Sequence, residues 1–392
     1  MKGQTGMRFV VHALTVSPHV VPLLDELVRQ HSDIDLTYVA TSWRGTDKSD
    51  DTKKGWDSFS RLNYVLNEDR DKDAVKDALE NSEVLYSGFR CVDLFERRLR
   101  RGLLTYYAPE RWYKPIVVFD RYVIPRRFRL RIRLPGIVRL LVPSYRRTAW
   151  RIVRLLDHPH FIFLAIGVHA VGDIVRTQKI LSGAWWYYFV APKVTLERKL
   201  GGRVEGFPRI RLWDYSVKPG LRYVKPLPVD KIINVLWVGR MLHWKYAQTV
   251  VRSVKGDSHV RLTLLGMGDE LIRCRRLASG ANNICFHEPE DLDGVRRLMH
   301  ENDVLVMSSN AEEGWGAVVS EAVEEGLRVI GTYEAGASAT ILPQSNLFHA
   351  KDVKRLRELL HSELAVVDAR EWSAEAAAKW LIADWLKQGK LT

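Results

Sequence analysis

The chain has 392 residues, more than one hydrophobic core usually supports, so we expect two domains of about 150–200 residues each. With 46% hydrophobic and 27% charged residues, the composition excludes a disordered chain, a collagen-like repeat and a coiled-coil rod. The net charge of +13 comes from residues 97–154, where 17 lysines and arginines accompany only two acids, and this local surplus predicts an anionic partner.

The first half of the chain alternates short apolar runs with segments of helical periodicity. The predicted strands lie at 8–14, 35–40, 84–86, 103–107 and 161–166, and the first predicted helix at 20–30. Residues 42–55 are polar and charged, which is typical of a loop. Strands that alternate with helices predict a parallel sheet covered on both faces.

Residues 145–156 predict a basic amphipathic helix, with Arg147, Arg151 and Arg154 opposite the apolar face and Trp150 at its flank. Just before it, arginines alternate with apolar residues. They are Arg126, Arg127, Arg129, Arg131 and Arg133. Such an element suits adsorption to an anionic membrane surface. It also suits a helix whose apolar face packs on the domain core while its basic face is solvated.

A junction between domains is expected where periodicity stops, over residues 193–230, which contain Gly201, Gly202 and four prolines. We therefore assign residues 1–205 to a first domain, 206–230 to a linker, 231–370 to a second domain and 371–392 to a terminal helix. The N-terminus lacks the apolar run of a signal peptide, and the most apolar stretch, 161–172, is shorter than the ~20 residues of a membrane span. We expect a protein that is not integral to the membrane.

The second half repeats the alternation of strands and helices. Predicted strands lie at 232–238, 259–265, 283–286, 304–307 and 328–331, and predicted helices at 246–254, 270–278, 292–301, 317–325 and 373–387. This pattern predicts a second doubly wound sheet, and such sheets bind ligands at the carboxyl ends of their strands. The three cysteines are too scattered for a disulfide framework or a zinc finger, so a reducing compartment is expected.

Two groups of residues in the second half suit a nucleoside diphosphate. Gly239 and Arg240 end its first strand and Lys245 follows five residues after Arg240, so two cations are available for two phosphates. Later, the segment EEGWGAVVSEAVEEG places Glu313 in a glycine-containing loop and Glu321 one turn into a helix. Backbone amides at that helix start suit an anion, and Glu321 suits vicinal hydroxyls. Taken alone, the glutamates also fit a solvated acidic helix end.

In this order, the motifs VGR followed by lysine, LLGMGDE, NDVLVMSS and EEGWGAVVSEAVEEGLRVIGTYEAG resemble retaining, nucleotide-sugar-dependent glycosyltransferases of the GT-B type. Within that type, the chain is similar to the large group 1, or family 4, grouping that acts on surface polysaccharides and lipids. The resemblance covers about residues 232–345. It implies two Rossmann-like domains facing across a cleft, with the C-terminal helix crossing back to the first domain.

The resemblance also implies roles for single residues. Arg240 and Lys245 would hold the diphosphate, Glu321 the ribose hydroxyls and Glu313 the donor sugar. The remaining donor-site residues that it implies are Gly239, Gly266, Gly268, His287, Gly314, Trp315, Gly316, Ala317 and Val318. Two positions depart from the usual pattern, since Tyr246 replaces a glycine and Trp315 replaces a phenylalanine. No metal and no cofactor are implied, and the attack would come from the same face as the departing phosphate.

The first domain resembles the family only loosely, so the acceptor-side candidates rest on position. Glu110 and Arg111 follow the strand at 103–107, where relatives often have a histidine, and Glu110 would orient the acceptor or the donor sugar. Ser17 and His19 occupy the first loop, and His169 follows a later strand. An ordinary ion pair at a strand end explains Glu110 equally well, and a position in the hydrophobic core is the better explanation of His169.

The sequence therefore predicts a retaining hexosyltransferase that uses a nucleotide-sugar donor and a lipid-linked or glycan acceptor. We expect it in the cytoplasm, peripheral on the inner face of the membrane through the basic segment 97–154. One alternative is a sugar transferase that modifies nucleic-acid bases, with Phe128, Tyr145 and Trp150 stacking on bases, although nucleic acid is the less favoured partner. Another is a nucleotide-sugar-binding protein without turnover. A dehydrogenase is disfavoured, because neither half has a complete G-x-G-x-x-G motif after its first strand.

Overall fold

The computed structural model describes residues 6–14, 16–40, 65–67, 71–112, 116–124, 128–190, 192–224, 226 and 232–390. The loop predicted at 42–55 lies outside these residues, as do Arg126 and Arg127. None of the helices in the described ranges is both long enough and apolar enough to cross a bilayer.

Ten strands lie in the described part of the first half of the chain. They are β1 Met7–Ala13, β2 Ile34–Ala40, β3 Val65–Asn67, β4 Val84–Ser87, β5 Leu104–Tyr107, β6 Ile116–Ile124, β7 Phe128–Pro135, β8 Phe161–Ile166, β9 Arg203–Val204 and β10 Phe207–Trp213. Strands β6 and β7 form a separate antiparallel hairpin. The other eight form one sheet in the order β3-β2-β1-β4-β5-β8-β10-β9, in which only the short β9 is antiparallel to its neighbour.

Five α-helices connect these strands, as the alternating pattern predicts. They are α1 Val21–Gln30, α2 Lys72–Asn81, α3 Val92–Arg100, α4 Pro143–Leu155 and α5 Val168–Leu181. Helices α3, α4 and α5 pack side by side against the sheet, and short 3₁₀ helices at Gly136–Leu141 and Trp185–Tyr188 pack against α4 and α5, respectively. The strands β1, β4, β5 and β8 are almost entirely buried, because they lie between helices on both faces of the sheet.

The second half forms a parallel sheet of six strands. They are β11 Ile233–Val238, β12 Val260–Leu265, β13 Ile284–His287, β14 Val304–Val306, β15 Arg328–Thr332 and β16 Leu347–Phe348, in the order β13-β12-β11-β14-β15-β16. The helices of this half are α6 Ala247–Val254, α7 Leu271–Ala278, α8 Leu292–Glu301, α9 Val318–Glu324, α10 Gly336–Ile341 and α11 Val353–Leu360. The strand order reverses between β11 and β14, so ligand-binding loops are expected to meet there.

The last helix, α12 Ala374–Lys387, returns to the first sheet and packs beside α1. Its Trp385 is fully buried against Phe9 of β1, with ring centroids 5.1 Å apart. The Tyr106 hydroxyl of β5 donates a hydrogen bond to the Asp384 carboxylate. The predicted architecture of two Rossmann-like domains with a returning C-terminal helix is therefore confirmed.

The segment predicted as a linker differs from the structure at its start, because Phe207–Trp213 forms β10 and pairs with β8. Its buried Ile210 and Leu212 alternate with Arg211, which is a strand pattern, and Pro208 is tolerated because it lies near the start of the strand. Apart from Pro208, the prolines and glycines that predicted a linker therefore lie on both sides of a strand. The chain leaves the first sheet only after Trp213.

Beyond β10 the chain is anchored to the second domain by Arg222. Its Nε lies 2.8 Å from the Glu324 Oε2 of α9, and its Nη1 lies 3.8 Å from the Glu375 Oε2 in the first turn of α12. The Arg222 amide also donates to the Glu324 carbonyl at 2.8 Å. One side chain thus contacts both passages of the chain between the two sheets.

The basic segment 97–154 is partly structural. Arg98 is fully buried and donates to backbone oxygens of α2, β5 and the loop between α2 and β4. Arg151 lies 2.5 Å from Asp93 and 2.6 Å from Glu96 on the neighbouring α3, so its charge is paired. Helix α4 does bury Ala149 and Ile152, as the amphipathic pattern predicts. The surplus available to an external partner is therefore smaller than the sequence count.

Asp214, directly after β10, is 2% exposed, and neither of its carboxylate oxygens has a hydrogen-bond partner among the described residues. Burial raises its pKa well above the ordinary value, so the folded chain retains a proton there that the unfolded chain releases above about pH 4. Stability is therefore lost as the pH rises above that value. We expect Asp214→Asn to stabilise the fold by about 1–3 kcal/mol at neutral pH and by much less at pH 4.

Thermal unfolding across a pH series measures this effect, with the exposed Asp35→Asn as the matched control. An Asp214→Asn variant whose melting temperature follows the wild type at every pH would show that Asp214 finds a partner in solution.

Candidate active site

The loops that follow β11 and β14 meet at the carboxyl edge of the second sheet. There Lys245 Nζ lies 2.7 Å from Glu313 Oε2, and both side chains are largely buried. The Ser309 hydroxyl donates to the same Glu313 oxygen at 3.1 Å. The two loops are also joined by the Ser308 hydroxyl, which donates to the Lys245 carbonyl at 2.6 Å, and by the Asn310 amide, which donates to the Trp244 carbonyl at 2.8 Å. Lys245 and Glu313, which the sequence assigns to the diphosphate and to the donor sugar, are thus in direct contact.

The strand ends beside this pair approach each other closely. Gly266 follows β12 with φ of +139°, and a side chain there would overlap the Gly239 carbonyl oxygen at the end of β11. Gly239, Gly268 and Gly316 also have positive φ angles in the same loops. Arg240 is exposed just after β11, and His287 is exposed at the end of β13 with its carbonyl accepting from the Gly266 amide at 3.3 Å. Arg240 and His287 are thus exposed at this edge of the sheet, beside the closely packed backbone of the glycine loops.

Helix α9 begins beside these glycine loops, with Ala317 as its N-cap and Val318 as its first residue. Glu321 lies in its first turn and is only partly exposed, and no hydrogen bond from the described residues reaches its carboxylate. Burial raises the pKa of Glu321 to about 7, while the Arg296 charge opposes and the Glu325 charge reinforces that increase. An unpaired, half-buried carboxylate is suited to accept hydrogen bonds from a ligand.

Trp315 does not point toward a ligand. Its side chain is 1% exposed, and its indole N–H donates to the Ser320 hydroxyl at 3.1 Å. The ring packs edge-on against Tyr215 of the first domain, 6.2 Å between centroids. Trp315 therefore supports the loop from within the core, and only its backbone can face the cleft.

On the first domain, Glu110 faces this loop across the cleft. The Tyr215 hydroxyl donates to Glu110 Oε1, and Glu110 Oε2 lies so close to Gly314 that any side chain at that position would collide with it. Burial raises the pKa of Glu110, the Tyr215 hydrogen bond opposes the increase, and the nearby Glu313 charge adds to it. Glu110 and Glu313 thus approach the same space from opposite domains.

His19 extends this cluster, because its ring stacks on Tyr215 with centroids 5.4 Å apart. Burial lowers the pKa of His19 to about 4, so its imidazole is neutral at physiological pH. The Ser17 hydroxyl accepts a hydrogen bond from the His19 amide at 3.2 Å, which makes Ser17 a turn residue that positions the histidine. The sequence did not identify Tyr215, which lies in the segment predicted as a linker.

Arg111 and His169 connect the two domains directly. Arg111 Nη1 donates to the Ala311 carbonyl at 3.3 Å, and its Nε lies 3.5 Å from Asp173 of α5. His169 Nε2 lies 3.0 Å from the Tyr333 carbonyl oxygen, so that nitrogen carries the proton. Burial, and then the Arg111 charge, lower the pKa of His169 to about 4. These two residues thus hydrogen-bond the first domain to backbone carbonyls of the second.

One local feature explains a departure from the family pattern. Tyr246, directly after Lys245, has a left-handed backbone with φ of 46° and ψ of 38°, a conformation that glycine adopts most easily. The position that resembling sequences fill with glycine therefore keeps its backbone shape here despite the side chain. Within the described ranges, no group of three or more His, Cys, Asp or Glu side chains is arranged to hold a metal ion.

Comparison with known proteins places this geometry in context. Residues 224–380 match the family model described as Glycosyl transferases group 1. Three solved structures share the fold: the lipopolysaccharide outer core galactosyltransferase WaaB without ligand, HepE from Anabaena in complex with UDP, and OtsA without ligand.

These structures align over nearly their whole length. WaaB has a TM-score of 0.61 at 13% identity, covering 97% of this chain and 100% of that chain. HepE has a TM-score of 0.58 at 12% identity, covering 98% of this chain and 100% of HepE. OtsA has a TM-score of 0.55 at 12% identity, covering 97% of this chain and 99% of OtsA. No curated protein matches the chain by sequence. At such identities the likeness shows the GT-B fold, and the family model adds that the second half carries a glycosyl transferases group 1 domain.

Proposed function

Because residues 224–380 form a glycosyl transferases group 1 domain on a GT-B fold, we propose that the chain moves a hexose from a nucleotide-diphosphate sugar to a lipid-linked or glycan acceptor with retention of configuration. The observation that carries this proposal is the Lys245–Glu313 contact of 2.7 Å, which faces Glu110 across the cleft beside α9. A cation, two carboxylates and a helix start then surround one space between the domains.

The donor occupies the second-domain side of this space in our proposal. Arg240 and Lys245 hold the diphosphate, the amides of residues 314–318 contact phosphate and sugar, and the Glu321 carboxylate accepts hydrogen bonds from the ribose hydroxyls. His287, exposed at the end of β13, lies toward the base. HepE, which shares the fold, is described in complexes with UDP, with UDP and glucose, and with UDP-glucose, so uridine diphosphate sugars are the first donors to test.

The chemistry follows from where charge develops. As the bond between the sugar and the diphosphate breaks, Lys245 and Arg240 stabilise the increasing negative charge on the phosphate oxygens, and no bound metal is invoked. Glu313, held by Lys245 and Ser309, accepts hydrogen bonds from the donor sugar. The acceptor hydroxyl attacks from the same face, and the departing phosphate takes its proton. Glu110, fixed by Tyr215, orients that hydroxyl.

We further propose action at the cytoplasmic face of a membrane, with the protein bound peripherally. Support comes from the exposed arginines of α4, in contrast to the buried Arg98 and the paired Arg151. They are Arg146, Arg147 and Arg154. Trp150 is 45% exposed on α4, and the Arg154 guanidinium lies 4.6 Å above its ring. An exposed aromatic ring beside arginines is suited to the lipid–water interface.

Thermal unfolding with a panel of nucleoside diphosphates tests the proposal. A ligand present at about a hundred times its dissociation constant stabilises a protein by about 2.7 kcal/mol, so the correct nucleotide is identified by its shift. Release of nucleoside diphosphate from the matching sugar donor, and the anomeric configuration of the product, then test turnover and retention. Absence of stabilisation by every nucleotide would overturn the proposal, whereas stabilisation without turnover on any acceptor would indicate a binding protein.

A further inference from the structure

An exposed aromatic turn follows α5. It comprises the 3₁₀ helix Trp185–Tyr188 together with Phe189, and we call residues 185–189 the aromatic turn. Trp185 is 65% exposed, Trp186 53% and Phe189 79%, and the following Val190 is 49% exposed. Contiguous exposure of large apolar side chains is uncommon on a protein surface and marks a contact with a partner or a membrane.

The turn is held in place by Arg176 of α5. Its Nε donates to the Tyr187 carbonyl, and its Nη2 donates to the Tyr188 carbonyl at 2.6 Å. These bonds fix the backbone, so the rings of Trp185 and Phe189 project outward instead of folding onto α5. The exposure is thus built into the fold.

The same arginine lines a cavity of about 620 Å³, which lies between α5 and residues 192–198. Arg111 and Arg198 also line it, and its single lining acid, Asp173, is already paired with Arg111 at 3.5 Å. Arg198 is exposed and has no partner among the described residues. The cavity therefore has a surplus of positive charge and lies within the size range of small-molecule sites.

The cavity also adjoins the candidate active site. Arg111 directly follows Glu110 in the chain, and it donates to the Ala311 carbonyl, two residues before Glu313. In the other direction, the chain passes from the aromatic turn into residues 192–198, which form the apolar and basic wall of the cavity. A single molecule could then extend from the cleft, across the arginines, to the exposed rings.

We propose that this cavity and the aromatic turn form the acceptor site, and that the acceptor is a membrane amphiphile whose phosphate group binds among Arg111, Arg176 and Arg198. The aromatic turn lies in the lipid–water interface beside the apolar chain of that amphiphile, as tryptophan and tyrosine do at membrane boundaries. Arginine suits phosphate because its planar guanidinium donates two parallel hydrogen bonds. The proposal rests on the proposed function and adds the chemical class of the acceptor.

The membrane contact is tested by co-sedimentation of the full chain with vesicles of phosphatidylcholine and phosphatidylglycerol. We expect the triple variant Trp185→Ser, Trp186→Ser, Phe189→Ser to lose at least about tenfold in vesicle affinity, because its apolar contact area is removed. The double variant Ile272→Ser, Leu386→Ser removes exposed apolar side chains elsewhere and is expected to bind as the wild type does. Equal binding by the triple variant would overturn the membrane role of the turn, and equal loss in both variants would show an unspecific effect and overturn it too.

The phosphate subsite is tested with farnesyl monophosphate, farnesol and inorganic phosphate as separate titrants. We expect farnesyl monophosphate to bind more tightly than either of the others. We expect Arg198→Ala to weaken its binding about fivefold, the upper end of what one exposed ion pair contributes. Lys199→Ala, the next residue and not part of the cavity wall, is expected to have no effect. Equal affinity for inorganic phosphate, or an unchanged affinity in Arg198→Ala, would overturn the subsite.

Nucleotide binding distinguishes a failure of the acceptor assignment from a failure of the proposed function. Every variant above leaves the second-domain site intact, so each is expected to retain the thermal shift given by the nucleoside diphosphate. A normal nucleotide shift with no preference for the amphiphile would overturn the acceptor assignment alone. Loss of the shift in the wild-type chain would instead overturn the proposed function, whatever the vesicles show.

Discussion

Lys245→Ala is expected to lower the rate of sugar transfer by about 10²–10³-fold, the usual cost of removing one group that stabilises charge in a transition state. Two effects combine at this residue. The variant removes the cation nearest the proposed diphosphate, and it leaves Glu313 without the partner that now lies 2.7 Å away. A buried carboxylate without its cation repels the phosphate that Lys245 would attract.

The rate with saturating donor measures this effect, because the loss should affect kcat more than the KM for the donor. Lys245→Arg retains the charge and is expected to recover part of the activity, since a guanidinium is larger and planar. Lys354→Ala, an exposed residue of α11, is the matched control for loss of one positive charge. Activity within a factor of two of the wild type in Lys245→Ala would contradict the assignment of the phosphate site.

Glu321→Gln is expected to weaken nucleoside diphosphate binding by about 10–100-fold, because two hydrogen bonds to a charged acceptor are replaced by weaker ones to an amide. The wild-type affinity should also depend on pH. The pKa of Glu321 is raised to about 7, and only the ionised carboxylate accepts from both ribose hydroxyls, so affinity should increase as the pH rises through about 7. In Glu321→Gln, the contribution of residue 321 to the nucleotide affinity should not change with pH.

Calorimetric titration across that pH range gives both results, and the difference between the wild type and Glu321→Gln removes the titration of the ligand phosphate itself. A 2′-deoxy nucleoside diphosphate is a second control, since it lacks one of the two hydroxyls and should lose less in the variant. Without ligand the sign is opposite: a raised pKa means that the folded state is destabilised as the pH rises from about 4.5 through about 7, so Glu321→Gln should be the more stable protein above that range. Parallel pH profiles for both proteins would contradict the ribose assignment.

The second-domain site could be predicted from the sequence because its residues follow strands of one parallel sheet. Lys245 follows β11, and Glu313 follows β14, its neighbour in the sheet. Once both segments are recognised as strands, their carboxyl ends must lie at the same edge. The helix that carries Glu321 follows from the same periodicity.

The contact between Glu110 and Tyr215 could not be predicted in this way. The two residues are 105 positions apart, and Tyr215 follows a strand that its flanking prolines and glycines disguised. Pairing of β10 with β8 places the tyrosine beside the cleft, and this pairing depends on the whole sheet. The aromatic turn was missed for a different reason, because residues 185–189 form a short apolar run that fits a buried strand as well as an exposed turn.

Arg222 has a mechanical consequence. The chain passes between the sheets after β10 and again before α12, and these two passages define the axis about which one domain can swing relative to the other. Arg222 ties both passages to α9, the helix that carries Glu321. Any widening of the cleft therefore pivots next to the proposed ribose contact, so domain opening and binding of the proposed nucleotide should be coupled.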